Sequence, residues 1–268
     1  MTLMAMKLGC CISGACYDLA AAAGYDSIAF PGVELAAAED ERFEQMAAKV
    51  AAGPLSVFSV NSFCPDSLRL TGADLDLAAL EAYARRLFPR AAGLGAKYIG
   101  IGGPVSRSTR PGESTASAVA DLERSLTLLC HIGEEYGLTI LLESVCALEC
   151  NVVTYTHEAA DIVRRLKPAN LGLVYDIYHA HMMHEDPDYI LQVAELIRVV
   201  HIARNVDNKR GYLREENIPE YLPYIRALVK AGYDGECNME AFAGDLIEEL
   251  PRSKRILERL ISGSEPPF

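Results

Sequence analysis

The sequence predicts a single α/β domain, residues 1–268, folded as a (β/α)8 TIM barrel. Three observations carry that expectation. Eight short, nearly continuous apolar runs recur along the chain, as strands of a parallel sheet covered on both faces require. Helix-length amphipathic segments separate them, and no linker interrupts the alternation. The spacing is about 33 residues per unit, the size of one strand with its helix.

The expected strands are Lys7–Ile12, Ser27–Phe30, Leu55–Asn61, Tyr98–Gly102, Thr139–Glu143, Leu171–Asp176, Val199–Ala203 and Glu236–Glu240. Ala78–Leu94 and Ala116–Tyr136 carry apolar residues at three- and four-residue spacing and read as helices. Asp186-Pro187 reads as a cap before a first-turn proline. Asn217-Ile-Pro-Glu220 reads as an N-cap with Glu three residues on. Gly24, Gly95, Gly137 and Gly232 each precede a strand closely, where a left-handed residue stops a helix. Ala23-Gly-Tyr-Asp26 and Ala231-Gly-Tyr-Asp234 nearly repeat one another before the second and eighth strands. The Gly102–Glu113 stretch is expected as a loop over one end of the barrel. An open doubly wound sheet is the competing fold, but the segment after the first strand lacks GxGxxG spacing.

Composition narrows the functional classes. Half of the residues are hydrophobic and 23% charged, which excludes a disordered chain. The net charge of −12 opposes nucleic acid as a partner, since phosphate contacts need clustered Lys and Arg. No apolar run reaches membrane-spanning length, so no membrane association is expected. Met1–Gly24 has a basic residue and small residues in the places a signal peptide needs. Gly9, Ser13, Gly14 and Asp18 interrupt it, and Met6–Ile12 reads better as the first strand. Eight cysteines without a CxxC pair point to a reduced, cytoplasmic protein. The Cys146/Cys150 pair reads as buried packing before metal binding. An acidic barrel of this kind is compatible with a homo-oligomer.

Barrel active sites form at the C-terminal strand ends. There the last four strands finish in polar residues: Glu143, Asp176, His201 and Glu240. Each alone has an ordinary reading: an ion pair for Glu143 or Glu240, a helix cap for Asp176, a satisfied core residue for His201. Together, three converging carboxylates would repel and raise one another's pKa. A divalent cation accepting all four as ligands removes that conflict, and Mn, Mg, Zn, Co or Fe suits three oxygens and a nitrogen. His181 and His184 read as exposed surface residues. Arg107 and Arg110, a pair that could hold phosphate, read as surface charge.

The four strand ends resemble the sugar isomerase/epimerase family of xylose-isomerase-like barrels, with ketose 3-epimerase and inosose isomerase or dehydratase relatives. The most specific piece is Val174-Tyr-Asp176-Ile-Tyr-His179, followed by Val200-His201-Ile-Ala and Asn238-Met-Glu240. The resemblance implies one divalent metal held by Glu143, Asp176, His201 and Glu240. It implies Glu143 and Glu240 as acid/base groups and His179 as a substrate contact. Relatives often have an acidic residue and Arg just after the seventh-strand His. Here Arg210 is displaced, so its assignment to substrate is the looser one, with Arg204 as the alternative.

The expected function is a metal-dependent isomerase or epimerase of a sugar, keto-sugar or polyol-derived ketone. It would act by Glu-mediated proton transfer through a metal-stabilised enediolate. The alternatives are an inosose-type dehydratase with His179 as acid, an apurinic endonuclease and a non-catalytic sugar-binding barrel. The endonuclease would need more histidines than the third and fourth strand ends, Ser59-Val-Asn61 and Gly100-Ile-Gly102, provide.

Overall fold

A computed structural model describes residues 6–242 and 244–263. Eight parallel strands close on themselves. They are β1 (Lys7–Cys11), β2 (Ser27–Pro31), β3 (Ser56–Asn61), β4 (Tyr98–Ile101), β5 (Thr139–Glu143), β6 (Leu171–Asp176), β7 (Ile197–Ile202) and, after a small hairpin of β8 (Arg204–Val206) and β9 (Lys209–Gly211), β10 (Glu236–Met239). The order around the barrel is β1-β10-β7-β6-β5-β4-β3-β2, so each strand lies beside its chain neighbour and β10 closes on β1. This is the (β/α)8 barrel expected from the alternation. All eight expected strands are present, with bounds that differ by a residue or two where a ladder frays.

Two layers of apolar packing hold it. Outside the sheet, one large cluster joins the strands' outer faces to the helices, through residues such as Phe30, Leu87, Leu126, Ile162 and Leu257. Inside the barrel, Leu141, Val174 and Val199 form a separate cluster, with Phe58 and Tyr98 against it. The apolar inner faces of β5 to β7 thus fill the barrel beneath the polar strand ends. Alternate residues of a strand face opposite ways, which is why these strands can be apolar within and still end in a charge.

The helix expectations hold at Leu77–Gly93 and Thr115–Glu135, the first capped by Asp76 and the second by Ser114. Gly24, Gly95, Gly137 and Gly232 all adopt positive φ. Both tyrosines of the repeated tetrapeptide anchor backbone: Tyr25 donates to the Leu250 carbonyl and Tyr233 to the Glu236 carbonyl. Asp186 accepts from the Asp188 amide, with Pro187 opening a short 3-10 turn.

Two expectations are corrected. Asn217 stands at the N-cap position of the helix Ile218–Lys230 but does not cap it: its backbone is helical, and its Oδ1 accepts from the Arg214 amide three residues earlier. The helical path therefore begins at Glu215. The loop after β4 contains a short helix, Pro104–Arg107. Of Met1–Gly24, Lys7–Cys11 is a barrel strand, and residues 1–5 lie outside the described residues. Among the described residues no helix is long and apolar enough to cross a membrane.

Candidate metal centre

The four polar strand ends meet. One donor atom from each of Glu143, Asp176, His201 and Glu240 lies within 4.8 Å of every other, and all four residues are buried. β5, β6, β7 and β10 are consecutive around the barrel, and in-register pairing places Asp176 beside His201. The His201 ring is oriented by its surroundings. Nδ1 lies 3.1 Å from Glu143 Oε1, 3.2 Å from Glu240 Oε2 and 4.0 Å from Asp176 Oδ2. Nε2 faces the Cys11 thiol on β1, 4.0 Å away.

Asp176 performs two tasks. Its Oδ1 caps the helix Ile177–Met182 by accepting from the Tyr178 and His179 amides. Its Oδ2 turns into the site and accepts from Arg210 Nη2 at 2.6 Å. Arg210 arrives on β9, is itself buried, and lies 3.0 Å from Glu240 Oε2 through Nη1. Its guanidinium stacks over the Tyr178 ring, centroid 4.7 Å away. The displaced arginine of the sequence is therefore in the site, while Arg204 turns its Nε to the Tyr212 carbonyl.

Electrostatics separate the carboxylates. Burial pushes Glu143 up to about 7, against the pull of His201. Burial acts on Asp176 in the same sense, but Arg210 and His179 outweigh it and hold it below its ordinary value. Glu240 is likewise held low, with Arg210 and then His201 overcoming its burial. His201 is raised despite burial, by Glu240 and Cys11 first. Two carboxylates are thus balanced by two cations, and a third sits near neutrality. A donor set of three carboxylates and one imidazole fits a divalent ion.

His179 lies against this group. Its Nδ1 is 3.3 Å from the Cys146 amide N–H, and its Nε2 is 2.7 Å from Arg210 Nη2. Both ring nitrogens face donors, a pattern a neutral imidazole satisfies only once. Cys146, Glu149 and His179 form a second group with donor atoms within 4.8 Å of one another. Cys150 stands apart from it, its sulfur facing Arg107 Nε and Ser108 Oγ.

Other expectations change here. Arg107 is no surface charge: it is fully buried and donates to the Glu143 and Val153 carbonyls. Arg110 is exposed and ion-paired with Asp74. His181 is half-buried, 2.7 Å from Glu220 and against the Tyr221 ring, while His184 is exposed.

Several contributors were not visible as site residues. Asn61, at the end of β3, donates from Nδ2 to Glu240 Oε1 at 2.9 Å. Gly102, just after β4, leaves space for Glu143: a Cβ there would lie 2.5 Å from Glu143 Oε2. Cys11, Arg107 and Glu149 complete the set. The only sequence signal for Asn61 was an amide side chain at a strand end, and for Gly102 a glycine at the same level.

Comparison with known proteins agrees with the barrel fold. A family described as xylose isomerase-like TIM barrel matches residues 17–261. A ketose 3-epimerase of Arthrobacter globiformis is 29% identical over 154 residues, covering 57% of this chain and 52% of the relative. An inosose isomerase of Bacillus subtilis is 32% identical over 157 residues, covering 56% and 55%. The matches span about half the length of these relatives. A crystal structure of the IOLI protein with a bound zinc atom superposes with a TM-score of 0.75 at 19% identity, covering 98% of this chain and all of that one.

Proposed function

Since the chain belongs to the xylose isomerase-like TIM-barrel family, we propose that it is a divalent-metal-dependent isomerase or epimerase of a sugar, keto-sugar or polyol-derived ketone. The observation that carries this reading is the convergence of Glu143, Asp176, His201 and Glu240 at the strand ends. A ketose 3-epimerase and an inosose isomerase among the relatives support the substrate class.

Glu143, Asp176, His201 and Glu240 would hold the metal, through His201 Nδ1, the ring nitrogen that faces the three carboxylates. When bound, a divalent cation withdraws charge from a substrate carbonyl and its neighbouring hydroxyl, which makes the C–H between them more acidic. Glu143 and Glu240 then serve as the proton-transferring pair. One would take the proton from the substrate carbon and the other would return one. Return of the proton to the opposite face inverts the carbon; return to the neighbouring carbon moves the carbonyl.

His179 and Arg210 are assigned to substrate oxygen. Arg210 brings N–H donors and His179 a ring nitrogen to the edge of the four-residue group. Dehydration is the weaker reading, because burial pulls His179 down to about 4. A neutral ring is a poor source of the proton needed to expel hydroxide. The same proposal includes manganese as the metal, the whole chain as one barrel domain, the cytoplasm as its location and a homo-oligomer as its assembly.

The test is a panel of ketohexoses, pentuloses and inososes incubated with metal-loaded protein in D2O and followed by NMR. The expected result is deuterium entering next to the carbonyl with an isomeric product of unchanged formula. Loss of water from the product would make the protein a dehydratase. Binding without exchange for every compound would contradict the reading.

A further inference from the structure

Asn61 and Glu240 are 179 residues apart in the chain and are brought together by the closing of the barrel. Asn61 is 5% exposed, and its Nδ2 lies 2.9 Å from Glu240 Oε1. The orientation of the amide is decided by chemistry: an ionised carboxylate only accepts, so the nitrogen must face it. The Asn61 oxygen is then left buried without a partner among the described residues. A buried unpaired amide oxygen is unfavourable, so this side chain is poorly explained by packing alone.

The two glutamates differ in this respect. Glu240 has both oxygens engaged, Oε1 by Asn61 and Oε2 by His201 and Arg210. Glu143 has Oε1 at His201, but its Oε2 lies beside Gly102, which carries no side chain and donates nothing to it. Space beside one carboxylate and a hydrogen-bonding amide beside the other make the pair mechanically unequal.

We propose that Asn61 is a positioning residue: by tethering Oε1 it fixes the Glu240 carboxylate so that Oε2 alone is offered to a metal, and leaves Glu143 as the carboxylate free to reorient. This rests on the metal-dependent reading above. An outer hydrogen-bond partner of a metal ligand holds its orientation, and loss of such a partner typically weakens binding about 10- to 100-fold.

Co2+ alone is the probe, added to the full-length protein and to Asn61→Leu, which keeps the shape and removes the donor. Asn61→Asp serves as the second variant should the first fail to fold. The expected result is Co2+ binding about 10- to 100-fold weaker than wild type, with a changed visible absorption band as Glu240 becomes free to bind through either or both oxygens. Thermal melts of the metal-free proteins should differ far less than those of the loaded ones, which a purely structural role would not produce. Unchanged affinity and an unchanged band in the folded variants would overturn the proposal. A wild-type protein that takes up no Co2+ would overturn the metal reading itself, and this proposal with it.

Discussion

The two halves of the barrel contribute differently to the same site. β5, β6, β7 and β10 each end in a group that can bind a metal: Glu143, Asp176, His201 and Glu240. The ends of β1, β3 and β4 hold no such carboxylate or imidazole, yet they face the other half closely. Cys11 faces His201, Asn61 tethers Glu240, Gly102 makes room for Glu143, and Arg107 binds the Glu143 carbonyl. One half supplies donors and the other sets where those donors point. Fixed geometry of this kind matters because a ligand free to swing must be ordered when metal or substrate binds.

The largest expected effects come from breaking the donor half. Glu143→Gln and Glu240→Gln should each reduce substrate deuterium exchange by about 10²- to 10⁴-fold, the usual scale for a general acid or base. NMR in D2O measures this, and near-wild-type exchange in either variant would remove that residue from the proton path.

Next comes the supporting half. Gly102→Ala places a methyl against Glu143 Oε2. A carboxylate pushed out of place should cost about 10-fold or more in Mn2+ affinity, measured by calorimetry. Cys11→Ala removes a weak partner of His201 and should cost only a few-fold on the same scale. If Cys11→Ala proved as damaging as Gly102→Ala, the thiol would be doing more than facing the ring.

The charge balance predicts a pH dependence. His201 is raised above its ordinary value and Glu143 stands at about 7, so both bind protons that a metal must displace. Mn2+ affinity should therefore rise with pH, by about tenfold per unit for each proton released. Calorimetry in buffers of different ionisation enthalpy counts those protons. An affinity independent of pH between 6 and 8 would contradict the assignment.

An effect of another kind, on stability and not on metal binding, separates Glu240 from a glutamate at the start of β10. Glu236 shares the inner face of β10 with Glu240, at the opposite end. Among the described residues it has no cationic partner at contact distance: its Oε2 accepts from Asn238, and burial pushes it up to about 8. The folded value exceeds the unfolded one, so the native state holds the proton more tightly. Its contribution to stability is intact below the unfolded pKa and is lost as pH rises through about 8. Glu236→Gln should gain on wild type across that range by the order of a few kcal/mol. Urea unfolding at several pH values gives the difference, and a gap that does not change with pH would contradict it.

The fold was legible because it is repeated: eight apolar runs with helical spacers leave few alternatives. The donor half was legible for a related reason. A carboxylate or imidazole ending an apolar strand is conspicuous, and four at one level are more so. The supporting half was not. Asn61, Cys11 and Gly102 are ordinary residues whose importance lies in what the closed barrel brings beside them, across as many as 190 positions of chain for Cys11 and His201. Arg107 was misread because a charged residue in a Gly- and Ser-rich stretch looks solvated. Burial against carbonyls is a property of the folded loop. Arg210 could be named but not placed until the β8–β9 hairpin turned it inward.

The central claim is that four strand ends hold one cation. Mn2+-loaded protein, dialysed and crystallised, tests it by metal analysis together with anomalous diffraction at the manganese edge. The predicted result is one manganese per chain, bound by Glu143, Asp176, His201 and Glu240. A loaded crystal with no anomalous peak among these four residues would contradict the account.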